Sequence, residues 1–395
     1  MTDDRQLLRL LFDAAVAAAS PAACVPLWLE GKPGGRVIVV GAGKAAASMA
    51  AIVEQVWGPP LEGLVIVPDG HGADCDYIEV VEAAHPIPDE RGVAATRRIL
   101  DIVSGLGADD TVVCLLSGGG SSLLCAPAPG ITLEQKKAAT RRLLKSGAAI
   151  HEINARRREL SAVKGGKLAE ACAPAQVITL IISDVPGNDP SVVASGPTIV
   201  DAASAREADV RILATSDDAL QAAALRALDL DLTPYLLGDL AGDARQLATE
   251  HAQLALELAA GNGPVEPPCV VLSGGETTVR VTGDGRGGRN GEYALALALA
   301  LDGHPRISAL ACDTDEHQRA DREQCSADQA FDGLVRADPA PKRGVADRRA
   351  DEQRAHAQAD HPDHRGHDAP LESAPHAEEQ AAEHDTHSPQ RVHPS

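Results

Sequence analysis

Lys44 and Arg289 are the residues whose surroundings point most directly to chemistry, because each is a cation set among glycines. Lys44 closes the turn Gly41-Ala42-Gly43-Lys44 in VIVVGAGKAAASMA, between an apolar run and an alanine-rich stretch of helical character. Glycine lets the backbone turn tightly beside a ligand, and a helix start offers unpaired N–H groups and a partial positive charge to an anion. Read with Ala46, the run also fits G-x-G-x-x-A, the dinucleotide-binding variant, and Asp69 closes the next strand where a ribose-binding acid can lie. Arg289 follows Gly283, Gly285, Gly287 and Gly288 at an expected helix start, where a guanidinium can grip carboxylate or phosphate by two hydrogen bonds.

Three further segments place polar residues directly after apolar runs. In CLLSGGGSSLLCAPAPG, the glycines Gly118, Gly119 and Gly120 lie among Ser117, Ser121 and Ser122. Successive glycine amides can form a nest for an anion, with hydroxyls completing the contacts to phosphate oxygens. This is not a Walker A loop, which needs G-x-x-x-x-G-K-[ST]. In LIISDVPGNDPSVVASGPT, Asp184 ends an apolar run and can contact Mg²⁺, which favours one or two carboxylates together with phosphate and water. Asp189, in the same Pro/Gly turn, is read as making local hydrogen bonds. In VVLSGGETTV, Ser273-Gly274-Gly275 repeats the pattern of Ser117-Gly118-Gly119, with Glu276 following; Asn290 lies beside Arg289, and Asp313 ends a later strand as a second metal candidate.

Elements that could hold these residues alternate in βαβ fashion, the texture of an α/β protein with a mainly parallel sheet. Strands are expected at Arg36 to Val40, Leu64 to Val67, Thr111 to Leu116, Val177 to Ile182, Val270 to Leu272, Thr278 to Thr282 and Ile307 to Cys312. A helix is expected over Asp243 to Ala260, and Thr132 with Gln135 has the spacing of a capping box. In such sheets ligands gather at the carboxyl ends of the strands. The expected organisation is a Rossmann-like N-terminal domain over residues 1–235, a second, truncated α/β domain over 236–315, and a disordered tail over 316–395. The tail contains only Phe331, Leu334, Val335, Val345, Leu371 and Val392 from the large apolar types, too few to offset the entropy of ordering it.

Composition narrows the function classes. The 395 residues include 57 acids against 36 Lys plus Arg, a net charge of −21, and only 2% aromatics, so neither a nucleic acid nor an anionic membrane is an expected partner. The 8 cysteines form no CxxC pair and read as reduced thiols in a cytoplasmic protein. Oligomeric state leaves no signature in the residues.

The motifs VVGAGKAAASMA, HPIPDERG, LLSGGGSSLL, INARRRELSAVKGGKLA, IISDVPGNDPSVVASGPT, VLSGGETTV, GRGGRNGEYALALAL and ACDTD, in this order from about Leu7 to Asp315, resemble the type-2 glycerate kinases, also known as the GckA/TtuD-like or MOFRL family. The resemblance implies transfer of phosphate from ATP, with Mg²⁺, to the 2-hydroxyl of D-glycerate, in a two-domain α/β protein with its site in the interdomain cleft. It places the family's active-site lysine and arginine on Lys44 and Arg289. Two departures stand out: Asn188 where members have aspartate, and Asp313-Thr314-Asp315-Glu316 where they have DTDG-x-DG. Beyond them the family pattern gives way to Arg, His, Asp, Ala and Pro, as translation in a shifted frame of a GC-rich gene would produce. The alternatives are an NAD(P)-dependent hydroxypyruvate reductase, a label some members carry, and an inactive truncated product. Lys164, followed by Gly165 and Gly166, is a further candidate anion contact in a basic run that otherwise reads as a solvated helix face.

Overall fold

Apolar runs that are continuous rather than alternating belong to strands covered on both faces. A computed structural model, which describes residues 4–146, 150–199, 209–280, 288–313 and 333–337, builds them into an all-parallel sheet. Its strands are β1 (Val37–Ala42), β2 (Glu62–Pro68), β3 (Ile78–Ala83), β4 (Thr111–Leu116), β5 (Gln176–Ile182) and β6 (Asp209–Ala214), in the order β3-β2-β1-β4-β5-β6. Every residue of β1 and β4 is buried. Ile38, Val40, Val112 and Cys114 pack on one side with Ala95 and Ile99 of the helix Glu90–Ile102; Val37, Val39, Val113 and Leu115 pack on the other with Met49, Ala50 and Val53 of the helix Ala46–Trp57.

That strand order is the dinucleotide-fold order, with the reversal of winding between β1 and β4. The loops leaving these two strands therefore diverge to opposite faces and open a crevice at their carboxyl ends. The turn Gly43-Lys44 and the loop Ser117–Ser122 lie there.

A second sheet follows, with β7 (Thr233–Asp243), β8 (Cys269–Thr278), β9 (Ile307–Ala311) and β10 (Gly333–Ala337) in the order β7-β8-β10-β9. β7 and β8 are parallel, and β10 is antiparallel to both its neighbours. The helices Ala244–Ala259 and Arg289–Leu301 cover one face through Leu247, Leu258, Tyr293 and Leu297. Leu8, Leu11 and Phe12 of the helix Asp4–Ala18, with Leu220 and Ala223 of Ser216–Asp229, cover Val270 and Leu272 on the other. Ser308 Oγ also donates to Asp4 Oδ2 at 2.8 Å. The N-terminal helix thus packs on the second sheet, although it precedes the first in the chain and was grouped by sequence with residues 1–235.

Other differences have local causes. β3, β6 and β7 escape the sequence reading because they run along sheet edges, where the exposed Glu79 and Glu82, the half-buried Asp209 and Arg211, and Pro234, Gly238 and Gly242 interrupt the apolar pattern. β8 continues to Thr278, so no separate strand begins there, and Thr282 lies outside the described residues. The tail expected to be without structure supplies β10, whose backbone joins β8 to β9 and satisfies ladder groups that both would otherwise present as edges. The remainder of residues 316–395 lies outside the described residues, as do Gly283, Gly285, Gly287 and Asp315. The helix Ala244–Ala259 matches expectation, with the Asp243 carboxylate accepting from the N–H groups of Arg245 and Gln246. Among the described residues no single helix is long and apolar enough to cross a membrane.

Candidate active site

The turn after β1 and the loop after β4 are tied together. Lys44 N–H donates to Gly118 O at 2.9 Å, and Ala45 N–H donates to Ser117 Oγ at 3.0 Å. Gly43, at φ +141°, lies so close to Ser117 that a Cβ would overlap its hydroxyl. Gly41, by contrast, belongs to β1, where a Cβ would strike the Leu115 carbonyl; it is a packing glycine rather than part of the ligand turn.

The loop Ser117–Ser122 then meets residues from two other strand ends. A Cβ on Gly118 would lie 2.6 Å from Asp184 Cγ, so the carboxylate following β5 rests against the loop backbone. Gly119, in the left-handed region at φ +80°, packs under the His85 ring, whose Nδ1 lies 2.6 Å from Ser122 Oγ. Ser122 Oγ also donates to Gly119 O at 3.1 Å. Ser121 Oγ turns away from the crevice toward Ser195 Oγ, 2.8 Å distant, and accepts from Lys164 Nζ at 3.2 Å.

All three loop hydroxyls therefore take hydrogen-bond partners within the protein, beside the expectation that they complete contacts to phosphate. The short helix Gly120–Leu123 begins here, and the N–H groups of Gly118 and Gly119 take no protein acceptor among the described residues.

Beneath the loop lies a turn in strained geometry. Ala194, Ser195 and Gly196 have successive φ values of 50°, 62° and 57°. A non-glycine residue in this region costs on the order of 1 kcal/mol and persists only where neighbours hold it. Here Lys164 Nζ donates to Ala194 O at 3.1 Å, Gly165 N–H to Ser195 O at 3.2 Å and Gly166 N–H to Gly196 O at 2.9 Å. Lys164 is 1% exposed. Burial, reinforced by Lys136 and Arg157, holds its pKa well below the ordinary lysine value.

A second group of candidates sits at the end of β8 and the start of the helix Arg289–Leu301. Arg289 Nη1 is ion-paired with Glu276 and lies 3.5 Å from Thr277 O. Asn290 Nδ2 donates to Cys312 O at 3.0 Å, next to the buried Asp313, while Asn290 Oδ1 is buried without a partner among the described residues. Ser273, Gly274 and Gly275 do not form a loop like their first-sheet counterparts. They are ladder residues of β8 paired with Gly238, Asp239 and Leu240; Gly275 has φ +112° and lies where a Cβ would meet the Leu240 carbonyl.

Two family models match this chain, a domain of unknown function (DUF4147) over residues 7–229 and the MOFRL family over residues 269–318. The D-glycerate 2-kinase of Thermotoga maritima is 38% identical over 315 residues, spanning 71% of this chain and 75% of its own. The chain belongs to the glycerate 2-kinase family. The crystal structure of a Thermotoga maritima glycerate kinase superposes with a TM-score of 0.71 at 29% identity, covering 84% of this chain and 98% of the other. An Agrobacterium vitis relative, 46% identical over 79% of this chain and 80% of its own, carries a provisional name as hydroxypyruvate reductase.

For this family member, then, the described residues bring Gly43, Lys44, Ser117 to Ser122 and Asp184 into one neighbourhood, and Glu276, Arg289, Asn290 and Asp313 into another. Asp69, the ribose acid of the dinucleotide reading, receives both arms of the Arg91 guanidinium at 2.6 and 2.9 Å, which lowers its pKa. Asp189 accepts from Ser191 N–H, the local role expected of it. Sequence reasoning missed Asn154, Ser195 and the fit of His85 over Gly119; the HPIPDERG and VVASGPT motifs were the signals available. Among the described residues no group of three or more His, Cys, Asp or Glu gathers for a resident metal. An ion brought with a nucleotide needs fewer protein ligands, and the exposed Asp184 carboxylate against the glycine loop is a ligand type that would suit a hard cation.

Proposed function

We propose that this chain is an ATP-dependent glycerate 2-kinase, converting D-glycerate to 2-phosphoglycerate. The observation that carries the reading is the convergence of Lys44, the open amides of Gly118 and Gly119, and Asp184 at the reversal point between β1 and β4. Phosphoryl transfer asks the protein for positioning and charge neutralisation more than for covalent chemistry. The glycine amides and the start of the helix Ala46–Trp57 hold nucleotide phosphates. Asp184, with Asp313 as the second candidate, holds Mg²⁺, which neutralises phosphate charge when bound. In this reading Lys44 after β1 and Arg289 at the start of the helix Arg289–Leu301 act together on the substrate carboxylate or the phosphoryl group in transit. The 2-hydroxyl oxygen bonds to the γ-phosphorus as the bond to ADP breaks, and Asp184 or Asp313 accepts the released proton.

A division into two lobes belongs to the same proposal, with the helices Asp4–Ala18 and Ser216–Asp229 on the side of the second sheet rather than a boundary near residue 235. A hydroxypyruvate reductase is the competing activity, favoured by the strand order and by the provisional name of the Agrobacterium relative. ADP release with D-glycerate and a panel of other small hydroxy acids, run beside NADH oxidation with hydroxypyruvate, separates the two. ADP release that depends on glycerate supports the kinase; NADH oxidation without it overturns the kinase.

A further inference from the structure

A lysine ammonium buried away from water needs an opposite charge or a dense set of acceptors, and a site that lacks a carboxylate is costly to maintain. Lys164 Nζ has two acceptors, Ser121 Oγ and Ala194 O, and no carboxylate among the described residues. The charges around it make this worse. Lys136 from the helix Leu133–Ser146 and Arg157 from the helix Ile150–Glu159 both act on it unfavourably, and the nearby Cys125 thiol is held neutral by its own burial. Asn154, 1% exposed, leaves its Nδ2 without a partner among the described residues.

The hydrogen bonds run in one direction. Ser195 Oγ donates to Asn154 Oδ1 at 3.0 Å, so in the Ser121–Ser195 contact it is Ser121 that donates, and the Ser121 oxygen is left to accept from Lys164. The chain Lys164, Ser121, Ser195, Asn154 thus couples an interior amine to the loop whose Gly118 and Gly119 amides take no protein acceptor among the described residues. A strut of this shape needs no charge if its task is only to support the fold, since a neutral side chain of similar length fills the space.

We infer that Lys164 is the buried counter-charge of the glycine loop, a positioning residue that acts through Ser121 to hold Ser117–Ser122 for a polyphosphate anion and whose ammonium is stabilised when that anion binds. The inference deepens the site reading above and rests on its assignment of the loop to phosphate. The lowered pKa of Lys164 agrees with it, because an anion on the loop opposes the desolvation that now disfavours the charge. Proton uptake then accompanies anion binding.

Isothermal titration of the full-length chain with inorganic tripolyphosphate, in two buffers of different ionisation enthalpy at a series of pH values below 10.5, reads both affinity and protons taken up. The wild type is expected to bind with proton uptake. Lys164→Met, which keeps the stem and removes the charge, is expected to weaken binding at least tenfold and abolish the uptake; Lys164→Arg restores part of the affinity without the uptake. Lys167→Met, a control at a half-buried lysine bonded to Arg158 O and Ser161 O, is expected to bind as the wild type does. Unchanged affinity in a folded Lys164→Met chain overturns the inference, as does a wild type that binds without uptake beyond that of Lys164→Met. If Lys164→Met does not fold, Ser121→Ala is titrated instead, and an affinity equal to the wild type overturns the inference. Lys164-dependent binding in a chain that releases no ADP with glycerate sinks the kinase reading alone. Glycerate-dependent ADP release with tripolyphosphate affinity independent of Lys164 sinks this inference alone.

Discussion

Gly118 and the Asp184 carboxylate are in direct contact, with no room between them for a single methyl group. This joins the loop after β4 to the strand end of β5. Gly118→Ala displaces one from the other. A misplacement of about 1 Å at a reacting centre costs on the order of 10²-fold in rate. The variant should therefore lose about that much kcat/KM for glycerate while its thermal midpoint moves by only a few degrees, as coupled ADP release and calorimetry would read. Activity at the wild-type level would separate Asp184 from the reaction.

Arg289 is held by Glu276, and that pairing sets the direction in which the guanidinium is presented. Arg289→Ala should lower kcat by roughly 10²–10³-fold, the usual consequence of removing a charge aimed at the transition state. Glu276→Gln should raise KM more than it lowers kcat, because the arginine remains but is less well held. Steady-state kinetics with glycerate as the varied substrate distinguishes the two patterns.

Lys164 binds its proton more weakly in the folded chain than in the unfolded one. Between the lowered folded pKa and the ordinary value of 10.5, the unfolded state carries the extra proton, so stability rises with pH through that window and falls as pH drops back through it. Urea denaturation at a series of pH values from 7 to 10 should show this slope in the wild type and lose it in Lys164→Met. Equal slopes would mean that Lys164 does not titrate in the window.

His251 makes the corresponding case in the second sheet. Its Nδ1 lies 2.5 Å from Tyr293 Oη in a buried contact, and burial lowers its pKa from 6.5. The unfolded chain therefore takes up the proton first, and stability is lost as pH falls from 6.5 toward the folded value. His251→Gln should flatten that loss, measured as the change in urea midpoint between pH 7 and pH 5.

β10 runs between β8 and β9, so its N–H groups are needed on both sides. Val335→Pro removes one ladder donor and should cost about 1–3 kcal/mol, with more aggregation from the loosened strands. Size-exclusion profiles and denaturation midpoints check it. No change would detach β10 from the sheet.

What could be read in the sequence follows burial. β1 and β4 are covered on both faces, and their unbroken apolar runs VIVV and TVVCLL announced them; β3, β6 and β7, on edges, mix charges, proline and glycine into the pattern and did not. β10 was hidden because Leu334 and Val335 stand almost alone among polar residues, and its place depends on pairing with residues about 60 positions earlier. At the site, the glycine turns were visible because backbone geometry restricts residue type. The destinations of the hydroxyls were not, since Ser121 meets Ser195 and Lys164 only after the fold brings segments 74 and 43 residues apart together. Ser273-Gly274-Gly275 shows the reverse error: the same three letters as Ser117-Gly118-Gly119 serve strand pairing in β8.

Phosphorus NMR of the full-length chain with ATP, Mg²⁺ and D-glycerate, run on wild type and Lys44→Ala, bears most directly on the account. The wild type should convert the γ-phosphate into the signal of 2-phosphoglycerate, and Lys44→Ala should do so at least 10²-fold more slowly while remaining folded. Absence of any phosphoglycerate in the wild type, or equal rates in the two proteins, would contradict the kinase assignment or the place given to Lys44 within it.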